Sequence, residues 1–149
     1  MSESKTEILT AASCLRSARL FNYLAVGTTL LSASLFSLGL MIADKKLAFL
    51  PMAMSLPPVM IWLAFSIFVY ASIAHHPDLT VRHYHKWAGY RYYAVVGTLC
   101  VLANDLAHLP TGWPGVYALM LFSLVPWELY DIWKAGREDW KDITIESSQ

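Results

Sequence analysis

The sequence predicts an all-α integral membrane protein, a four-helix transmembrane bundle with both termini cytosolic. Three observations carry this expectation. The 149 residues are 56% hydrophobic and only 15% charged, where a soluble domain carries about 25% charged residues. The apolar residues come in long blocks, each bounded by polar or turn-forming segments. The basic residues then fall very unequally on the two sides that those blocks define.

The first block runs over residues 20–43 and contains no charge. A helix there is long enough to cross a hydrocarbon core of about 30 Å. It is too long for the apolar core of a signal peptide, so it reads as a retained span behind a polar segment, residues 1–17. The second block begins at Leu47, but Pro51, Pro57 and Pro58 interrupt its first half. Proline suits a first helical turn and breaks a helix interior. The second span is therefore expected over 57–74, with 47–56 as a short interfacial or re-entrant piece. The third and fourth spans are expected over 88–109 and 114–134. The link between them, Pro110-Thr-Gly-Trp-Pro114, reads as a tight turn that makes them antiparallel neighbours. The membrane domain thus covers 18–134, and residues 135–149 read as an exposed polar tail.

Four spans put both termini and the 75–87 loop on one side. That side carries nine of the eleven basic residues, and only Lys45 and Lys46 fall on the other. The positive-inside rule makes the richer side cytosolic. Trp87, Tyr90, Tyr92, Tyr93 and Trp133 would line the interface there, and Trp113 the opposite one. Cys14 and Cys100 fall at different depths, which argues against a disulfide between them. The net charge is zero and no basic face of the kind that holds nucleic acid is visible. The expected surroundings are a lipid bilayer.

Ala25, Thr29, Ala33 and Ser37 recur every four residues in the first span, forming a small-residue stripe. Such stripes let helix backbones approach closely in lipid. The stripe either packs inside the bundle or meets a membrane-protein partner.

Ionisable residues inside spans are costly and mark candidate sites. Asp105, with Asn104 and His108, lies in the third span, and Glu128 and Asp131 lie three apart in the fourth. Pro126 frees the carbonyl of Phe122 and favours a kink there. A desolvated carboxyl at Glu128, modulated by Asp131, would act as a general acid on a lipid-soluble substrate. The competing reading is structural: Arg91, at similar depth in the antiparallel third span, would pair with Glu128 or Asp131.

Four of the five histidines, His75, His76, His83 and His85, fall within eleven residues. In an extended segment His83 and His85 would point the same way, and a divalent metal could be held if His75 or His76 joined them. Neither an HExxH motif nor paired CxxC motifs accompany them. The competing reading is a polar loop beside anionic headgroups, with Arg82 and Lys86.

Three functions are consistent with these features. The first is a non-catalytic accessory or membrane-organising subunit. The second is a membrane-embedded enzyme of cyclase or isomerase type, acting by acid catalysis on an isoprenoid-like substrate through Glu128, Asp131 and Asp105. The third is a small proton-coupled transporter, for which the first span offers no acid.

Overall fold

The structure, a computed structural model, describes residues 5–147. In chain order its elements are strand β1 (Lys5–Leu9), helices α1 (Ala11–Met41), α2 (Lys45–Met54), α3 (Leu56–Ala74), α4 (Leu79–Ala107) and α5 (Gly112–Ala135), and strand β2 (Ile143–Ser147). The protein is helical. Two stretches, Ala11–Met41 and Lys45–Ala74, are long and apolar enough to cross a membrane by length and composition.

Side-chain caps start three of the helices. Thr10 accepts from the Ser13 amide at the head of α1, and Asp44 accepts from the Lys46 amide, at 2.9 Å, at the head of α2. Asp78 caps α4 by accepting from Thr80 and Val81 at 2.6 and 3.0 Å. Each cap satisfies amides that have no partner in the first turn. Gly112, the residue with positive φ, opens α5 at +57° and turns the chain tightly behind α4. Only glycine adopts that geometry without strain.

Residues 47–56, expected as a short interfacial or re-entrant piece, are mostly taken up by α2. Pro51 lies inside that helix, and Ser55 ends it before Pro57 and Pro58 open α3. Ser55 Oγ donates to the Met52 carbonyl at 2.6 Å, so the Tyr117 hydroxyl, 2.5 Å away, is the donor to Ser55. Ser32 of α1 donates to the Ser55 carbonyl. The break between α2 and α3 is thus pinned to α1 and α5 by hydrogen bonds that satisfy its backbone. Gly39 allows α1 and α2 to approach closely: a Cβ there would sit 3.0 Å from the Ala48 carbonyl oxygen.

Helix α1 is the hub, touching every other helix. Ala25, Thr29 and Ala33 of the small-residue stripe are buried inside the chain, whereas Ser37 is exposed. Their small side chains are what lets one helix touch four others. Phe21 sits at the centre, edge-on to Trp62 at 5.2 Å, His85 at 5.4 Å and Tyr92 at 5.9 Å. Farther along, Phe36 stacks on Tyr117 at 4.1 Å. Such aromatic pairs contribute about 0.5–1.5 kcal/mol each beyond the area they bury.

Within the expected polar tail, Ile143–Ser147 form a strand. β2 pairs antiparallel with β1, from Lys5 opposite Ser147 to Leu9 opposite Ile143. This backbone pairing joins segments near the beginning and the end of the described residues. The Ala11 amide also donates to Asp142 at 2.7 Å. Beneath the ribbon a second apolar cluster gathers Cys14, Ala18, Ile73, Val81, Tyr84 and Ala135, flanked by Leu9, Trp140 and Ile143. The Tyr84 hydroxyl donates to Glu138 at 2.6 Å. The ribbon, the α3–α4 connection and the end of α5 therefore share one end of the molecule, the ribbon end. The α1–α2 and α4–α5 turns form the other.

Candidate functional site

The buried charges lie where α1, α4 and α5 meet. Arg91 of α4 forms an ion pair with Asp131 of α5, their side chains 27% and 11% exposed. Tyr84 bonded to Glu138 and Arg91 bonded to Asp131 set the same antiparallel register between α4 and α5. In that register Glu128 stands level with residue 94, about one turn beyond Arg91. Arg19 donates to the Ile132 carbonyl, and Phe36 stacks on Tyr117, so α1 runs antiparallel to α5 as well. Asn22 of α1 then falls within about one turn of both Glu128 and Asp131.

Of the two pairings that the sequence allows Arg91, the structure makes the one with Asp131. Glu128 is 2% exposed, and neither of its carboxylate oxygens bonds to any described residue. Asn22, both amide atoms of which are equally without a partner, is buried to the same degree. Trp62 Nε1 and Arg91 Nε are also unbonded. Buried polar groups normally find partners, and a buried group left without one costs about 1–3 kcal/mol. These orphaned groups are a local cost to the fold, and nothing in the apolar periodicity of the first span points to Asn22.

The pair itself borders a surface groove of about 240 Å³ between α4 and α5. Its walls include His83, Trp87, Trp127, Tyr130 and Lys134 alongside Arg91 and Asp131. A second, apolar groove of about 120 Å³ lies toward the other end, among Val59, Val96, Leu99, Trp113 and Met120.

Asp105 does not join this group. It is exposed near the far end of α4, and the α4–α5 register places it about 16 Å along the axis from the level of Glu128. His108, three residues on, turns back so that its Nδ1 bonds with the Asn104 carbonyl at 2.6 Å.

The four clustered histidines also part company. α4 begins at Leu79, so residues 79–87 are helix where an extended loop was expected. Residues two apart on a helix point about 200° apart, and His83 and His85 accordingly diverge. His85 is buried at 1% exposure, and its Nε2 lies 3.2 Å from the Tyr70 carbonyl, to which it donates in the neutral ring. His83 faces outward beside Tyr84 and Trp87. His75 caps the end of α3, and His76 Nδ1 accepts from the Asp78 amide at 3.1 Å. Among the described residues no three His, Cys, Asp or Glu side chains gather as a metal site would require. Burial pushes the His85 pKa below its ordinary value, against the smaller opposing effect of the Tyr70 carbonyl.

No protein-family model, curated protein or solved structure matches the chain.

Proposed function

We propose that the chain is a four-span membrane protein that acts by binding, as a non-catalytic accessory or membrane-organising subunit, with its ribbon end and both termini in the cytosol. The observation that carries this reading is the apolar exterior. Phe68, Val101 and Phe122, on three different helices, are 73%, 79% and 78% exposed, and Leu31 of α1 is 52% exposed. Apolar side chains so exposed on every long helix suit lipid or a partner helix better than water. Their charged residues notwithstanding, α4 and α5 carry this surface too, through Leu102, Leu119 and Trp127. The pairing of Asp131 with Arg91 supports a structural use for that acid, and the distance of Asp105 from both α5 acids fits that reading. Orientation rests on the nine basic residues of the cytosolic side against Lys45 and Lys46.

The test combines topology with partnership. With Cys14 and Cys100 replaced by alanine, Lys46→Cys and Lys141→Cys are expected to react with an impermeant maleimide from opposite sides of sealed vesicles. Gentle detergent extraction from the native membrane should return the chain with a second membrane protein in fixed ratio, and loss of that protein should lower the chain's abundance. Conversion of a lipid-soluble substrate by the purified chain alone would overturn the reading.

One observation favours the second reading, a membrane-embedded enzyme working on an isoprenoid-like substrate. Glu128 is buried and, among the described residues, has no hydrogen-bond partner, and such groups recur where function requires them. That reading requires Glu128→Gln to abolish product while the protein accumulates normally.

A further inference from the structure

A groove of about 330 Å³ opens between the end of α3 and the start of α4. Tyr70 and Ala74 form one wall, and Leu79, Arg82, His83, His85 and Lys86 form the other. Residues 79, 82, 83 and 86 follow helical spacing, so they stand on one face of α4. That face exists because Asp78 starts the helix early; in an extended loop these side chains would scatter.

The groove's charge has one sign. Arg82 and Lys86 point out of the helix, and among the described residues neither is in an ion pair. The lining contains no carboxylate. Asp78, the nearest acid in sequence, is occupied by the Thr80 and Val81 amides. Lys86 lies 5.5 Å from the centre of the Tyr90 ring, which places its ammonium along the helix toward the apolar part of α4. His85 braces the groove from within by bonding across to the Tyr70 carbonyl, so α3 and α4 are held at a fixed spacing. Arg82 and Lys86, one turn apart on this wall, can both reach a phosphate at the polar half, while Tyr70, level with His85, offers apolar contact to the chains below it.

We propose that this groove binds the phosphate headgroup of an anionic phospholipid, with Arg82 and Lys86 as the charge partners and His83 at the rim. The proposal rests on the four-span reading, which places the groove at the cytosolic interface where acidic lipids concentrate. It goes beyond that reading by naming the ligand class and its site.

The experiment uses the full chain in phosphatidylcholine nanodiscs containing a photoactivatable phosphatidylglycerol. Adducts are mapped by mass spectrometry. Labelling is expected to concentrate on residues 70–74 and 79–86, and R82A/K86A should reduce it about tenfold, in line with the strength of basic residues at anionic membrane surfaces. R16A/K141A, which removes the same charge from exposed positions at the same end, should leave it within about twofold. Equal loss in both double variants, or equal labelling by a photoactivatable phosphatidylcholine, overturns the site. Displacement by millimolar inorganic phosphate overturns the lipid as its ligand in favour of free phosphate. Failure of the chain to enter nanodiscs overturns the four-span reading itself, an outcome distinct from normal insertion without selective labelling.

Discussion

Arg91 pairs with Asp131, and Glu128, one helical turn from Asp131 on the same helix, bonds with neither. The two acids of α5 thus have different surroundings although they lie three residues apart on one face. Asp131 → Asn would leave Arg91 partly buried without its counter-charge. The expected loss is roughly 2–3 kcal/mol, below the value for a fully enclosed pair because both side chains retain some exposure. R91M/D131L should melt above either single variant, since it removes both charges together. Thermal unfolding of the purified chain in detergent measures this. An Asp131→Asn protein that melts with wild type would show that the pair contributes nothing.

Glu128 has the opposite expectation. A buried carboxyl without a hydrogen bond lowers stability, so Glu128→Leu should raise it by roughly 1–3 kcal/mol. Glu128→Gln should have a smaller effect, because the amide is as poorly partnered as the acid. A clear fall in melting temperature for Glu128→Leu would mean that the carboxyl holds the helices together. Stabilisation accompanied by loss of a product or a partner would place Glu128 among residues kept for function at the expense of stability.

Much of the helical framework was legible in the sequence, because the apolar blocks and the prolines act locally. Pro57 and Pro58 mark the start of α3 within one residue, and Pro110 lies in the α4–α5 turn with Pro114 in the first turn of α5. Residues 79–87 look loop-like because Arg82 to Lys86 is polar, yet Asp78 before Leu-Thr-Val is a capping signal that starts α4 there. With the helix start moved, the convergence of His83 and His85 was lost. The ribbon was hidden for a different reason. β1 and β2 are five residues each and stand at opposite ends of the chain, so no local pattern connects them. Arg91 was recognisable as a partner for the α5 acids from its position alone, but choosing Asp131 over Glu128 depends on side-chain geometry that spacing does not contain.

His85 predicts a pH dependence. Its pKa is lowered in the folded protein by burial, so the folded state favours the neutral ring. Above the ordinary value near 6.5 the ring is neutral in both states and this contribution to stability is fully present. As pH falls below 6.5 the unfolded chain takes up the proton first, and stability declines until the lowered folded pKa is passed. The slope from one such group is at most about 1.4 kcal/mol per pH unit. Melting curves between pH 7.5 and 5 should show the decline in wild type and a shallower one in His85→Gln. Identical slopes in the two proteins would remove His85 as the cause.

Cys14 reports on the ribbon. Its thiol is wholly buried beneath Leu9, Trp140 and Ile143, and burial, then the charges of Asp78 and Asp142, pushes its pKa up. Both effects suppress the thiolate, which is the reactive form. Cys100 is exposed, so it is first replaced by serine. In that background Cys14 should resist maleimide at neutral pH. Ending the chain after Asp142 deletes β2, strips Ile143 from the cluster and leaves β1 without its strand partner. Labelling of Cys14 should then accelerate by at least about tenfold while the helical circular dichroism signal is kept, because the helices make their own backbone hydrogen bonds. Asp142→Ala should give a smaller acceleration, through loss of its bond to the Ala11 amide. If the truncated chain labels as slowly as the full one, the ribbon does not cover Cys14 in solution, and the second apolar cluster is closed by the helices alone.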